Sequence, residues 1–427
     1  MTTMTAPAGA DVAALVREMA QRARAATAQL VRMTPGAKNI ALERMAKALE
    51  TAAPRIQAEN QRDLAAGREK GLSAAMLDRL ELNVMRIAAM VQGINEVRAL
   101  PDPVGEIFDV QTRPNGLRVG RMRSPLGVVG FIYESRPNVT ADAACLCLKS
   151  GNAVILRGGS EAIHSNLAMV DAIRGALREA GAPEDAVQLI PTTDRAAVSA
   201  LLALEGLVDV VIPRGGRSLI ERVVAEARMP VIKHYDGNCH IYVDEGADLD
   251  MAQRIAVNAK TQRTGVCNAV ESLVVHSAVA GAFLEATLDV LIDKGVEIRG
   301  DETVCALEPR AVPAKAGDWT AEYLDKIISV KVVDSFDQAV AWINTHGSHH
   351  TDAIVTRDHG RAMRFLSEID SACVFVNAST RFSDGGEFGL GCEIGISTEK
   401  LHARGPMGLR ELTSVKWVVF GTGQTRG

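Results

Sequence analysis

The sequence predicts an α/β protein in which a doubly wound parallel-sheet domain is joined to a second α/β domain and a small hairpin-and-strand element. Three observations predict it. Between residues 125 and 245 the apolar runs GVVGFIY, NAVILRG, AVQLIP and VDVVIPRG alternate with helical stretches or turn residues. That alternation is the pattern of parallel strands with helices on both faces of their sheet. A second alternating stretch begins near residue 241 and runs to about 400, with ESLVVH, KIISVKVV, DAIVTR and CVFVN as its strands. The third observation is IFDVQTRPNGLRVGRM (107–122), whose apolar residues alternate around Asn115-Gly116, a strong hairpin signal.

Before residue 100 the periodicity is helical. ALVREMAQRARAA belongs to an amphipathic N-terminal helix, KNIALERMAKALE follows, and LDRLELNVMRIAAMVQGINEVRAL reads as one long helix ended by Pro101 and Pro103. The tail TSVKWVVFG reads as an edge strand that pairs with the hairpin or with a neighbouring subunit. The expected division is a cofactor-binding domain at 1–106 and 123–240 and a second α/β domain at 241–404. The hairpin 107–122 and the tail 405–427 would form an oligomerisation element.

Composition excludes several function classes. With 47% hydrophobic and 23% charged residues and a net charge of −5, the chain is an ordinary globular protein. Acidic and basic residues interleave, leaving no basic stripe for nucleic acid. No run of eighteen apolar residues suggests a membrane span. Seven cysteines (145, 147, 239, 267, 305, 373 and 392) are an odd number at irregular spacing, which fits reduced thiols and a cytoplasmic location.

Two strand-to-helix turns carry the cofactor signal. SGNAVILRGGSEA ends its strand at Arg157, followed by Gly158, Gly159 and Ser160, and DVVIPRGGRSLIERV places Arg214, Gly215 and Gly216 in the same position. Glycines there let backbone N–H groups approach a pyrophosphate. Neither segment is G-x-G-x-x-G, and each reads equally as a tight βα turn. Cys267, in NAKTQRTGVCNAVESLVV, is the candidate nucleophile. A thiolate there would attack a carbonyl carbon, and Lys260 and Arg263 are close enough in sequence to lower its pKa. A solitary cysteine also fits a small buried hydrophobe. Cys145 and Cys147, in AACLCL, read as core. Cys239-His240 and His349-His350 lack a C-x-x-C or H-x-x-x-H partner, so no metal site is expected.

PLGVVGFIYESRPNVTADAACLCLKSGNAVILRGGSEA, KHYDGNCHIYVDEGADLD, NAKTQRTGVCNA and HGSHHTDAIVTRD together resemble the γ-glutamyl phosphate reductase family, within the aldehyde dehydrogenase superfamily. The resemblance runs over nearly the whole chain. It implies an aldehyde dehydrogenase-like fold and NADPH-dependent, reversible reduction of glutamyl 5-phosphate to glutamate 5-semialdehyde and phosphate, in proline biosynthesis. It also implies that Cys267 forms the thioester and that Asn138 is the amide of an oxyanion hole. Glu322 falls where the superfamily holds the nicotinamide ribose, while Arg157, Ser160 and Gly215 fall in the cofactor segments. Glu134, Arg136, His349, His350 and Arg381 are candidates for the substrate's α-amine and α-carboxylate.

Two departures from the wider superfamily sharpen that expectation. Hydrolytic members carry a water-activating glutamate where this chain has His234, which favours transfer to phosphate over hydrolysis. Arg157 stands where NAD-preferring members have lysine, and Ser160 where they have a ribose-binding glutamate three residues on. That exchange suits the 2′-phosphate of NADP. A hydrolytic aldehyde dehydrogenase and a catalytically silent structural member are the alternatives. A homo-oligomer is expected, with glutamate kinase as a candidate partner.

Overall fold

The computed structural model describes residues 11–134 and 136–426, so the first ten residues of the expected N-terminal amphipathic stretch lie outside the described part. The chain divides into two compact units. The first comprises Met1–Lys233, Gly389–Gly395 and Met407–Gly427, and the second His234–Phe388 and Ile396–Pro406. The division at His234, rather than after residue 240, follows from a strand at Cys239–Val243 that pairs only with strands of the second unit.

The first unit opens with helices Val12–Leu30 and Pro35–Glu69. The second of these starts where Thr34 accepts from Ala37 N and Pro35 supplies a preset φ, and it runs on through Pro54. The single long helix expected over 77–100 is instead two, Ala74–Leu80 and Val84–Ala99. Asn83 is extended and caps the second by accepting from Arg86 N at 2.9 Å. The buried Asn60 takes the intervening Leu82 N–H at 2.8 Å and donates to Leu80 O at 2.9 Å. Local hydrogen bonding thus overrides an apolar pattern that continues across the break.

Four parallel strands form the sheet of this unit, in the order Val187–Leu189, Ala153–Gly158, Val128–Tyr133, Val210–Arg214. The two central strands are buried along their whole length, which is why their sequences are continuously apolar. Register places Tyr133 opposite both Gly158 and Arg214, so the two glycine turns leave the sheet at the same level. A separate antiparallel sheet holds the expected hairpin, Ile107–Thr112 and Arg118–Pro125, with the tail strand Thr413–Phe420 on its far side. Of the two pairings open to the tail, the one with the hairpin is formed. Val415, Trp417 and Val419, two residues apart and all well exposed, form an apolar stripe along that strand.

The second unit is built on seven parallel strands in the order Val312–Pro313, Glu297–Gly300, Ile327–Val333, Val270–His276, Cys239–Val243, Thr351–Val355, Cys373–Val376. Ile241, Val243, Leu273, Val275, Ala353 and Val355 join one core cluster, and the alternate residues Tyr242, Val274 and Ile354 join another. The period-two division means the sheet is covered on both faces. The sequence reading missed Cys239–Val243 and Glu297–Gly300 because both are short and carry polar residues among the apolar ones.

Candidate active site

Cys267 lies in the turn between helix Leu249–Thr261 and strand Val270–His276, where it is half-buried. Beneath the turn, Lys260 Nζ and Glu271 Oε2 form a fully buried ion pair at 2.5 Å. Burial pushes the Lys260 ammonium down and the Glu271 carboxyl up to about 7, against their mutual attraction. Lys260 is therefore spent on Glu271, not on the thiol as its position in sequence suggested.

Two histidines do the work expected of the lysine. One ring nitrogen each from His234 and His350 and the Cys267 sulfur all lie within 4.8 Å of one another, and the two rings meet edge to face at 5.2 Å. His234 Nδ1 donates to Ile396 O at 2.8 Å, which leaves Nε2 for the sulfur. His350 is fully buried; its Nδ1 lies 2.9 Å from Thr351 Oγ1, whose own proton goes to Ser383 Oγ at 2.9 Å. That chain keeps a proton on His350 Nδ1 and leaves Nε2 to share a proton with the sulfur. Burial alone would raise the Cys267 thiol, but the charge of His350 and the polar contacts of both rings outweigh it and hold the thiol well below its ordinary value.

Gly237 brings the His234 segment against Cys267. A Cβ on Gly237 would sit 2.0 Å from Cys267 O and 2.6 Å from Cys267 Cα, so no other residue permits this approach. Gly237 N also donates to Glu322 Oε1 at 2.9 Å. Burial lifts the Glu322 carboxyl to about 7, partly offset by that hydrogen bond. Cys239 Sγ donates to Cys267 O at 3.1 Å, and its own thiol is pushed well up by burial.

On the other flank, Arg381 donates through Nη1 to Asn268 Oδ1 and through Nε to Gln262 Oε1 at 2.8 Å. The geometry therefore brings His350, Arg381, Glu322 and His234 to the neighbourhood of Cys267. His349 is turned elsewhere: it adopts φ +60° and its Nδ1 donates to Asp370 O at 2.7 Å. Nothing in the local sequence distinguishes His349 from His350, and only the strand that begins at Thr351 decides which one is buried.

The first unit contains a cavity of about 760 Å³ whose lining includes Arg157, Ser160, Glu134, Lys70, Arg195 and Arg222. Arg157 is buried, and its guanidinium donates to Gly158 O at 2.7 Å and Thr193 O at 3.2 Å. Lys70 and Arg195 are exposed cations from distant segments, which no local motif announced. Glu161 also lines the cavity, so the carboxylate that the motif comparison counts as lost at Ser160 is present one residue on. Asp63 caps the helix after the first glycine turn, accepting from Ser165 N at 2.8 Å and His164 N at 3.2 Å. At the second turn Gly215 packs on Glu134, and Gly216 N donates to Glu134 Oε2 at 3.2 Å. Asn138 opens helix Val139–Lys149 with its amide 3.3 Å from Asp142 Oδ2, and Arg136 lies in the preceding turn, accepting from Val139 N.

A family model described as the aldehyde dehydrogenase family matches residues 2–299 and 311–418. The chain belongs to that family. Among curated proteins, it is similar to the gamma-glutamyl phosphate reductases of Geotalea daltonii, 56% identical over 97% of this chain and 99% of that one, and of Paramagnetospirillum magneticum, 55% identical over 97% and 98%. The crystal structure of gamma-glutamyl phosphate reductase from Thermotoga maritima superposes with a TM-score of 0.94 at 47% identity, covering 96% of this chain and 100% of that one. An acetylating aldehyde dehydrogenase from Geobacillus thermoglucosidasius shares the fold at a TM-score of 0.69 and 17% identity.

The depressed thiol makes a test of the cluster direct. Only the thiolate alkylates, so the iodoacetamide rate at Cys267 rises with pH and levels off above the thiol pKa. In the native protein that rise should fall well below the range of a free thiol. In His350→Ala it should move to higher pH, because the burial that raises the thiol remains when the opposing charge is removed. Peptide mapping of labelled Cys267 against pH reads both profiles, and coincident profiles would exclude His350 as the source of the depression.

Proposed function

We propose that the chain catalyses the NADPH-dependent reduction of L-glutamyl 5-phosphate to L-glutamate 5-semialdehyde and phosphate, a reversible step of proline biosynthesis. The observation that carries this reading is Cys267 set between two histidines, one of which, His234, stands where hydrolytic relatives place a carboxylate.

Cys267 thiolate attacks the acyl carbon, the C–O bond to phosphate breaks, and a γ-glutamyl thioester remains on the sulfur. NADPH, when bound, supplies the hydride that reduces the thioester carbonyl. Collapse of the resulting thiohemiacetal releases the aldehyde and returns the electron pair to sulfur as thiolate. The imidazoles of His234 and His350 take up the thiol proton before attack and favour the thiolate as leaving group at the end. Without a water-activating carboxylate at position 234, the thioester persists until phosphate or hydride reaches it. Arg381, beside the nucleophile turn, is the candidate for the substrate α-carboxylate. The roles of Asn138 as oxyanion amide and of Glu322 on the nicotinamide ribose rest on family resemblance.

The cavity of the first unit fits a phosphorylated dinucleotide: it lies beyond the carboxyl ends of parallel strands and is lined by four cationic side chains, Lys70, Arg157, Arg195 and Arg222. Because Arg157 turns Nη1 and Nη2 to backbone carbonyls, the exposed Lys70 and Arg195 are the better placed to meet a 2′-phosphate. Gly215, at the second glycine turn, is the candidate for the pyrophosphate by family position, and Glu134, which now takes the Gly216 N–H, would have to yield to it. We further propose that the apolar stripe Val415, Trp417, Val419 is covered by a second copy of the chain.

Oxidation of glutamate 5-semialdehyde with NADP should require inorganic phosphate and vanish in Cys267→Ala; phosphate-independent formation of free glutamate would overturn the reading in favour of hydrolysis. Lys70→Ala and Arg195→Ala should each weaken NADPH roughly ten- to a hundredfold and NADH little, as expected for a lost charge-assisted contact of about 1.5–3 kcal/mol. Fluorescence titration with the two cofactors checks this, and equal losses would place the 2′-phosphate elsewhere. Trp417→Glu should give a smaller particle by light scattering, and an unchanged mass would remove the stripe from the subunit interface.

A further inference from the structure

The geometry points to a zinc-binding site made by His234, Cys267 and His350, at which Zn(II) reversibly blocks the nucleophile. The three residues are far apart in sequence, so the ligand spacings that announce zinc sites are absent, yet one ligand atom from each lies within 4.8 Å of the others. Tetrahedral zinc with bonds of about 2.0–2.3 Å to nitrogen and sulfur separates its ligand atoms by roughly 3.3–3.6 Å. A contraction on the order of 1 Å closes the cluster onto the ion. His234 can make it: its ring is only half-buried and sits in the 234–238 stretch between strands.

Three further features favour the ion. The outer nitrogens of both rings are already engaged, His234 Nδ1 with Ile396 O and His350 Nδ1 with Thr351 Oγ1. This is the outer-shell arrangement that fixes the tautomer of a metal-bound imidazole and turns Nε2 toward the metal. His350 Nε2 is buried and, its contact with the Cys267 sulfur apart, meets no hydrogen-bond partner among the described residues. A cation removes that deficit. The third ligand is the Cys267 thiol, a soft sulfur donor within reach of both rings, and its proton leaves to solvent as zinc binds.

Two neutral imidazoles and one thiolate leave zinc with a net positive charge and an open fourth position, suited to water or to an oxygen of the anionic substrate. Such an ion is an inhibitor here, because the sulfur lone pair that would attack the acyl carbon is held in the Zn–S bond. No electron transfer is involved, and removal of the metal restores the thiolate unchanged.

Binding can be read without the reaction, so failure here and failure of the proposed activity are distinguishable. Equilibrium dialysis of the full chain against Zn(II), in thiol-free and phosphate-free buffer, should find one tight site per chain. Co(II) in its place should give a near-ultraviolet thiolate-to-metal charge-transfer band. Affinity should fall by at least roughly tenfold in Cys267→Ala and in His234→Ala, the band should vanish in the former, and circular dichroism should show both variants folded. Zinc should also slow iodoacetamide labelling of Cys267 in proportion to occupancy, with EDTA restoring the rate. Equal zinc affinity in Cys267→Ala, or cobalt binding without the charge-transfer band, would overturn the proposal.

Discussion

The site depends on the contact between Gly237 and the backbone of Cys267. It is closer than any side chain allows, and it joins two segments that share no local pattern. From this one approach follow the placement of His234 three residues earlier, the capture of Glu322 by Gly237 N, and the donation from Cys239 to Cys267 O. The second unit supplies the rigidity for it. Cys239–Val243 and Val270–His276 are adjacent parallel strands of one buried sheet, so the residues just before the first and just before the second meet at the amino ends of these strands. The Cys267 turn is thereby held between elements anchored in the same sheet.

The electrostatics are layered around that contact. Below it, Lys260 and Glu271 neutralise each other in a dry environment, where an unpaired charge would be costly. At its level, two imidazoles face a single sulfur. Glu322 is lifted toward neutrality by burial and adds little negative charge against the thiolate when protonated. The carboxyl of Glu322 thus faces the thiol from one side, while the permanently charged Arg381 is held by Asn268 and Gln262 at the flank.

Much of this was legible in the sequence, for identifiable reasons. Continuous apolar runs marked the buried parallel strands, Asn115-Gly116 marked the hairpin, and the motif around Cys267 marked the thiol at which the two histidines gather. The break at Asn83 was not legible, because the Asn60 hydrogen bonds that stabilise it come from a helix two elements away. Nor could spacing reveal the histidine cluster: positions 234, 267 and 350 meet only when strands from three parts of the chain are laid side by side. Arg157 lines the cavity of the first unit, but its fold back onto Gly158 O and Thr193 O depends on a loop that its strand-end motif does not include.

The antiparallel sheet carries a consequence for the order in which the chain is made. Arg118–Pro125 lies between Ile107–Thr112 and Thr413–Phe420, and the buried Asn152 donates to Leu412 O beside that last strand. One side of Arg118–Pro125 can pair within the hairpin as soon as it leaves the ribosome. The other must wait until nearly the whole of the second unit has been translated. During that interval the nascent chain presents an open strand edge, the feature that invites pairing with the wrong partner. The second unit is almost continuous in sequence, from His234 to Phe388, and can fold meanwhile. Arg118, Arg121 and Arg123 space positive charge along the waiting strand, which discourages a second identical edge from docking before the proper strand arrives.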